Sequence, residues 1–266
     1  MKKFKHKKSL GQNFLTNYDV IDHIVDVADI EDRVVLEIGP GEGVLTEALT
    51  RIAKKVVAVE LDDRLVPVLE KKFSSFDNID IIHGDILHMN VMELVEKYAK
   101  DESYKVVANI PYYITAPIIR LFLELPAQPQ EIILMVQKEV AQRLVAKPGG
   151  MSLLAVSAQY YADVEYLFSV PKEDFDPVPK VDSAIIKLKI KNEELKTDDA
   201  KNFFRIVKIG FSAKRKTLAN NLANGLHIDK KEMEKILTDL GLVKSVRAQE
   251  LSLDDWKKLC NSLDEK

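Results

Sequence analysis

An asparagine, a proline and a tyrosine stand together where an apolar run ends, in the stretch VVANIPYYIT. The side-chain oxygen of Asn109 and the main-chain carbonyl of Pro111 are hydrogen-bond acceptors, and proline stiffens the corner that carries them. Tyr112 offers a ring face for a nucleobase, and such stacking contributes about 1–3 kcal/mol in single-strand binding sites. This set predicts a pocket that positions an exocyclic adenine amine for methyl transfer without a strong general base. The alternative is a plain strand-end turn in which the asparagine bonds its own backbone.

A glycine-rich turn, GPGEG, follows the first clear strand and precedes a helix. Gly39 and Gly41 permit close approach of a ligand, and this first crossover commonly binds nucleotide-like cofactors. The G-x-G-x-G spacing differs from the dinucleotide fingerprint, so S-adenosylmethionine is the better match. Glu60 and Asp85 stand at the ends of the next two strands, where carboxylates accept from ribose hydroxyls and from an adenine amine. Each acid alone could be a solvated or capping carboxylate, but together with the glycine turn they predict adenosyl binding.

The elements that must hold these residues alternate between strands and helices. Runs such as RVVLEIG and YKVVANIP read as continuous apolar strands, which indicates a parallel sheet covered by helices on both faces. The charged stretch KIKNEELKTDDAKN breaks the pattern, and only helical segments follow it. The sequence therefore predicts an α/β fold, with a Rossmann-like methyltransferase domain over 1–190 and a small all-helical domain over 191–266.

Charge is uneven along the 266 residues, although the net charge is only −3. Lysines crowd the first eight residues and return in FSAKRKT, and two such patches can form one nucleic-acid footprint. A solvated basic tail explains the first patch equally well. The single cysteine, Cys260, rules out an intrachain disulfide and favours a reducing compartment. With neither a signal-peptide pattern nor a bilayer-length apolar run, we expect a cytoplasmic protein, monomeric and without a metal.

Seven stretches resemble the KsgA/RsmA family of ribosomal RNA adenine N6,N6-dimethyltransferases, and together they cover essentially the whole chain. They are KKSLGQNFL, LEIGPGEGVLTEAL, VVAVELD, NIPYYI, MVQKEVAQRLVAKPG, FDPVPKVDSAIIKL and GFSAKRKTLANNL. The resemblance implies dimethylation of two adjacent adenosines near the 3′ end of small-subunit (16S) ribosomal RNA. It also implies S-adenosylmethionine as methyl donor and a role in small-subunit biogenesis.

The family's site residues carry over to matching positions of this sequence. The implied cofactor contacts are Asn13, Leu15, Gly39, Gly41, Glu60, Asp85 and Asn109. The implied base pocket consists of Asn109, Pro111, Tyr112 and Phe175, with Phe175 as the second aromatic that sandwiches the base. The alternative for Phe175 is a core aromatic before a proline-rich turn. The residues expected to contact RNA are Lys5, Lys7, Lys8, Lys214, Arg215 and Lys216.

Two alternative functions stay open. Erm-type methyltransferases, which modify one adenosine of the large subunit, share the QNF and NIPY segments, but FSAKRKTLANNL favours the small-subunit family. The other alternative is a ribosome-assembly factor that holds an immature small subunit and is released on methylation. The assembly role and the catalytic role can coexist. A dinucleotide oxidoreductase fits neither the glycine spacing nor the Asn109–Tyr112 corner.

Overall fold

The computed structural model describes residues 13–100, 102–191 and 200–264, and the structural statements below concern those residues. Lys5, Lys7 and Lys8, which the sequence predicts to contact RNA, lie outside them. The strands are β1 (Phe14–Leu15), β2 (Val34–Ile38), β3 (Lys55–Glu60), β4 (Ile79–His83), β5 (Tyr104–Asn109), β6 (Glu131–Gln137), β7 (Ala162–Val170), β8 (Phe175–Asp176) and β9 (Ser183–Ile190). The α-helices are α1 (Tyr18–Ala28), α2 (Val44–Thr50), α3 (Val66–Lys72), α4 (Val91–Ala99), α5 (Thr115–Glu124), α6 (Lys138–Leu144), α7 (Leu153–Tyr161), α8 (Ala200–Gly210), α9 (Leu218–Leu226), α10 (Lys230–Asp239) and α11 (Leu253–Asp264).

The main sheet has the strand order β4-β3-β2-β5-β6-β9-β7. The first five of these strands are parallel neighbours, which confirms the expected Rossmann-like arrangement. The sheet is nevertheless mixed and not wholly parallel, because β9 runs antiparallel to β6. The second half of β9 alternates apolar and basic residues from Ile186 to Lys189. Such alternation is typical of an antiparallel strand with one face toward solvent, whereas the parallel strands are apolar throughout.

Helix α1 shows how the sequence forms the layer beside this sheet. The Asn17 side chain caps its first turn by accepting from the Asp19 amide at 3.0 Å. Ile21, Ile24 and Ala28 recur at helical spacing and are buried against the sheet. Helix α3 accommodates its proline in the first turn.

A two-stranded ribbon pairs β1 with β8, so that Phe14 lies opposite Asp176 and Leu15 opposite Phe175. The Thr16 amide extends the pairing by donating to the Asp174 carbonyl at 2.8 Å. The sequence did not predict this ribbon, because strands of two residues carry no periodicity. It brings together two stretches that are separated by about 160 residues in the chain.

The chain forms two compact units. One consists of residues 1–141 and 163–190, and the other of residues 142–162 and 191–266. The second unit therefore contains the predicted C-terminal domain, residues 191–266. It also contains residues 142–162, which the sequence places in the first domain. The reason is packing: Tyr160, at the end of α7, is fully buried and its ring lies 4.6 Å from that of Phe203 in α8. In the described ranges, no helix is both long and apolar enough to cross a membrane.

Candidate active site

A cleft opens at the carboxyl ends of β2, β3, β4 and β5. It is the edge at which ligands bind in open α/β sheets. All the predicted cofactor residues and all but one of the predicted base-pocket residues line it. They are Asn13, Leu15, Gly39, Gly41, Glu60, Asp85, Asn109, Pro111 and Tyr112.

The glycine turn of the cleft is packed tightly against neighbouring side chains. Gly41 has a φ of +61°, and a Cβ atom there would lie 2.6 Å from the Phe14 ring. Gly43 has a φ of +75°, and its Cβ would lie 2.8 Å from both Leu69 of α3 and Phe73, the residue that follows this helix. Only glycine fits these positions without a shift of neighbouring side chains. Phe14 also lines the cleft, a role that the sequence did not predict.

Lys72, the last residue of α3, holds the outer side of the same turn. Its Nζ donates to the carbonyls of Glu42 at 3.2 Å and Gly43 at 2.9 Å. It also forms an ion pair with Glu47 at 3.3 Å. These carbonyls therefore face the Lys72 ammonium, which stabilises the shape of the turn.

Glu60 ties the turn to the end of β3. Its Oε2 accepts from the Gly41 amide at 3.0 Å, and its Oε1 accepts from the Asp62 amide at 2.7 Å. Burial raises the pKa of this carboxyl, and the two backbone hydrogen bonds oppose that rise by stabilising the charged form. A carboxylate has about four lone-pair positions, so two remain for ribose hydroxyls.

Asp85 lies two residues beyond the end of β4. Its Oδ1 accepts from the Leu87 amide at 3.0 Å, and its Oδ2 lies 2.8 Å from Nδ1 of the exposed His88. Both carboxylate oxygens are therefore oriented by the protein, while the side chain keeps an open side toward the cleft.

Glu37 lines the cleft from within β2, and the sequence did not predict its participation. The side chain is 1% exposed, and Oε2 has no hydrogen-bond partner among the described residues. Burial raises the pKa of Glu37 from 4.5 to about 8; the Thr46 hydroxyl and the more distant Lys72 oppose this only partly, and the Glu60 charge adds to it. The Thr46 hydroxyl is close to the carboxyl but outside hydrogen-bond geometry. The available sequence signal for Glu37 was a single acidic residue within an otherwise apolar strand.

The corner from Asn109 to Tyr113 forms the opposite side of the cleft. Asn109 is half-buried at the end of β5, and the next residue, Ile110, is 2% exposed and anchors the corner in the core. The Pro111 carbonyl accepts from the Ile114 amide at 3.1 Å. Because a carbonyl has two lone pairs, this oxygen can still accept from a ligand. Tyr113 is 61% exposed at the rim.

Tyr112 has one fixed polar contact in this corner. Its hydroxyl lies 2.7 Å from Oγ of Ser183, the first residue of β9. Burial raises the pKa of the Tyr112 phenol; the Ser183 hydrogen bond lowers it, and the charge of Asp182 raises it. The sequence did not predict the Ser183 contact, since the two residues are 71 positions apart.

Phe175 does not line the cleft with the other predicted residues. Its side chain is 3% exposed in a hydrophobic cluster that also contains Leu15. The structure thus shows Phe175 as a core aromatic, one of the two possibilities open from the sequence, and a base sandwich would require its ring to leave that core. The stacking role of Phe175 stays a prediction.

The basic turn between α8 and α9 lies in the second unit. Lys214, Arg215 and Lys216 are all exposed there. The buried Asn221 holds the turn by donating from Nδ2 to the carbonyls of Gly210 at 2.6 Å and Ala213 at 3.1 Å.

Known proteins resemble the chain over nearly its whole length. A sequence model of the family described as "Ribosomal RNA adenine dimethylase" matches residues 3–265. The protein "Ribosomal RNA small subunit methyltransferase A" of Dehalococcoides mccartyi (strain CBDB1) is 43% identical, over 96% of this chain and 88% of the relative. Its namesake in Bacillus cytotoxicus is also 43% identical, over 98% of this chain and 92% of the relative.

Two solved structures share the fold. A dimethyladenosine transferase from Plasmodium falciparum matches with a TM-score of 0.81 and 28% identity, covering 95% of this chain and 98% of that one. The 23S rRNA methyltransferase ErmE matches with a TM-score of 0.76 and 30% identity, covering 95% of this chain and all of that one.

Proposed function

The chain belongs to the ribosomal RNA adenine dimethylase family, and we propose that its substrate is small-subunit (16S) ribosomal RNA, within the subunit or its precursor. Its activity is the dimethylation of ribosomal RNA adenine with S-adenosylmethionine as methyl donor. The proposed targets are two adjacent adenosines near the 3′ end. One observation carries the proposed mechanism: a single cleft joins the glycine turn and the strand-end acids to the Asn109–Tyr112 corner.

The cofactor half of the cleft, defined as residues 39–43 with Glu37, Glu60 and Asp85, fits a cationic adenosyl compound. Glu37 Oε2 is buried without a hydrogen-bond partner among the described residues, so a positively charged group bound nearby would stabilise the ionised form of this acid. Glu60 would hold the ribose, and Asp85 would hold the adenine amine. When bound, S-adenosylmethionine supplies a sulfonium methyl group.

The base half of the cleft, defined as residues 109–113, would hold the target adenine. The Asn109 side-chain oxygen and the Pro111 carbonyl accept from the two amine N–H groups and favour a pyramidal nitrogen. The Tyr112 ring stacks on the base. After one transfer the amine keeps one N–H, so one acceptor loses its partner, and a neutral asparagine tolerates this loss better than a carboxylate would. Water takes the released proton, and the rate rests on positioning.

The second unit would bind the ribosomal RNA. Adenines in structured RNA must be unstacked before an enzyme can act on them. The exposed Lys214, Arg215 and Lys216 would contact phosphates while the base is turned out. Each neutralised phosphate adds to the salt dependence of binding, so the affinity for the subunit should fall steeply with salt.

An Erm-type activity on large-subunit RNA is the second candidate, because the fold match to ErmE covers the same 95% of this chain as the match to the dimethyladenosine transferase. The higher identity to small-subunit enzymes favours the first candidate. A role in ribosome assembly in addition to catalysis is compatible with either candidate activity. The cytoplasmic location and the monomeric state stay predictions.

The test is an incubation of the protein with labelled S-adenosylmethionine and unmethylated small or large ribosomal subunits, followed by nucleoside mass spectrometry. Dimethyladenosine in small-subunit RNA alone is the expected result. Label in large-subunit RNA would move the assignment to the Erm-type activity. If neither subunit is labelled, the proposed substrate is wrong.

A further inference from the structure

We propose that Ser183 is a positioning residue for methyl transfer, because its hydroxyl holds the Tyr112 ring in the place where the target base stacks. The inference rests on the proposed function and extends it to a residue outside the cleft lining. Ser183 Oγ lies 2.7 Å from the Tyr112 hydroxyl, and the Ser183 side chain is fully buried.

The hydrogen bond fixes the far end of the Tyr112 side chain. A tyrosine has two rotatable side-chain bonds, and its hydroxyl lies on the axis that runs from Cβ through the ring. A ring held at Cβ and at the hydroxyl keeps its centre in one place. Tyr112 itself stands at the start of a single 3-10 turn, Tyr112–Ile114, so its own backbone element is short. The Ser183 hydrogen bond therefore adds a constraint on the ring that this short element does not supply.

Ser183 is suited to that task because it belongs to a rigid strand. It pairs with Gln137 at the end of a seven-position antiparallel ladder between β9 and β6. The preceding residue, Asp182, is held through both its main chain and its side chain. Its main-chain carbonyl accepts from the Lys138 amide at 3.0 Å, and its carboxylate accepts from the Lys172 amide at 3.2 Å. Side chains on such elements hold a site more precisely than side chains on loops.

The consequence for the reaction follows from how methyl transfer depends on geometry. A misplacement of about 1 Å costs about 100-fold in rate when reacting atoms must be aligned. Without the Ser183 hydroxyl, the Tyr112 ring can tilt, and the stacked base tilts with it. The hydrogen bond joins two side chains that are not part of the cofactor half, so cofactor affinity should not change.

The chain offers a matched control in the same unit. Tyr166 and Ser169, both on β7, form the same hydroxyl pair at 2.6 Å, but neither residue lines the cleft. Removing that pair deletes the same chemical interaction on the surface. Any effect on methyl transfer that is specific to Ser183 must then come from its place beside Tyr112.

The experiment is a double-mutant cycle on the full chain, with Ser183→Ala, Tyr112→Phe, the double variant and the control Ser169→Ala. Single-turnover methyl transfer is measured with unmethylated small subunits at saturating S-adenosylmethionine, together with cofactor affinity and melting temperature. We expect Ser183→Ala and Tyr112→Phe each to lower the rate about tenfold, and the double variant to fall no further, because both remove one interaction. Ser169→Ala should transfer at the wild-type rate, and cofactor affinity should be unchanged throughout.

Three results would overturn the inference: a wild-type rate for Ser183→Ala, a double variant whose loss is the product of the single losses, or a loss matched by weaker cofactor binding. A wild-type protein that methylates no subunit would overturn the proposed function as well. An active wild type with an equally active Ser183→Ala variant would overturn the positioning role alone.

Discussion

The cofactor half and the base half of the cleft hold their polar groups in different ways. In the cofactor half, Glu60 accepts from two backbone amides, Asp85 is oriented by Leu87 and His88, and Lys72 holds the outer carbonyls of the turn. In the base half, the Asn109 side chain has no hydrogen bond among the described residues, and the Tyr112 hydroxyl is held by a single serine.

The difference matches what each half must bind. A cofactor that binds in the same way in every cycle benefits from a site that is arranged in advance, because little ordering is then needed on binding. A target amine that loses one N–H between two transfers needs acceptors that can lose their partner without a large penalty. The first kind of site should show its defects in affinity, and the second kind in rate.

The largest effect is expected for Asn109→Ala in the base half. Removing an acceptor aimed at the reacting group typically costs about 100- to 1000-fold in rate, and both transfers should be lost. Single-turnover assays with nucleoside analysis check this. Asn109→Asp is the sharper companion: a carboxylate left with one N–H partner should stall the reaction at monomethyladenosine. Wild-type turnover in Asn109→Ala would refute the role of this residue.

The next effect is expected for Glu60→Gln in the cofactor half. The glutamine amide nitrogen would face a backbone N–H in place of an oxygen, so one of the charge-assisted bonds to Gly41 or Asp62 is lost. The neutral amide also accepts more weakly from the ribose hydroxyls, and hydrogen bonds to a charged group contribute about 1.5–3 kcal/mol, so cofactor binding should weaken roughly 10- to 100-fold. Calorimetric titration with S-adenosylhomocysteine measures it, with the exposed Glu70→Gln as control. Equal affinities in the two variants would contradict the account.

A smaller effect is expected for Lys72→Met, which removes the donor to the carbonyls of Glu42 and Gly43. Each ordinary hydrogen bond contributes about 0.5–1.5 kcal/mol, and these carbonyls can turn to water, so the loss should be about 2- to 10-fold in cofactor affinity. Lys71→Met is the matched control, because this exposed lysine is its chain neighbour. If both variants bind the cofactor equally well, Lys72 does not shape the turn.

The last prediction concerns protein stability, not cofactor binding or rate, and involves Glu37. Burial raises the pKa of Glu37 from 4.5 to about 8, so the folded state favours the protonated acid. The unfolded chain releases that proton first, and stability should fall as the pH rises between these two values. Melting temperatures of the cofactor-free protein at several pH values should show this fall, and Glu37→Gln should reduce its slope. Glu60, whose pKa is also raised, leaves a residual slope. Identical slopes in the two proteins would exclude Glu37 as the source.

Much of the fold follows from local patterns. The parallel strands are continuous apolar runs, and α1 carries a clear helical spacing, so both are visible in the sequence. The antiparallel direction of β9 and the β1–β8 ribbon were missed, the first because its alternation is short and the second because two-residue strands have no period. The place of residues 142–162 in the second unit depends on contacts with a distant part of the chain.

The site shows the same division. Glycines and acids at strand ends are visible because the topology brings them to one edge, whatever their side-chain partners. Glu37 was missed because it lies within a strand, and its consequence depends on burial. Ser183 was missed because its partner is 71 residues away. Sequence patterns thus locate the residues that line the cleft at strand ends. The residues that orient them, such as Ser183, are found only from tertiary contacts.

The distinction between the two halves is tested most directly by the methyl-transfer rate as a function of S-adenosylmethionine concentration, for Glu60→Gln and Asn109→Ala side by side. A defect in ground-state binding is overcome by saturation, whereas a defect in the transition state is not. The account predicts that Glu60→Gln approaches the wild-type rate at high cofactor concentration and that Asn109→Ala stays slow at every concentration. A rate for Glu60→Gln that stays low at saturation, or a recovery of Asn109→Ala, would contradict it.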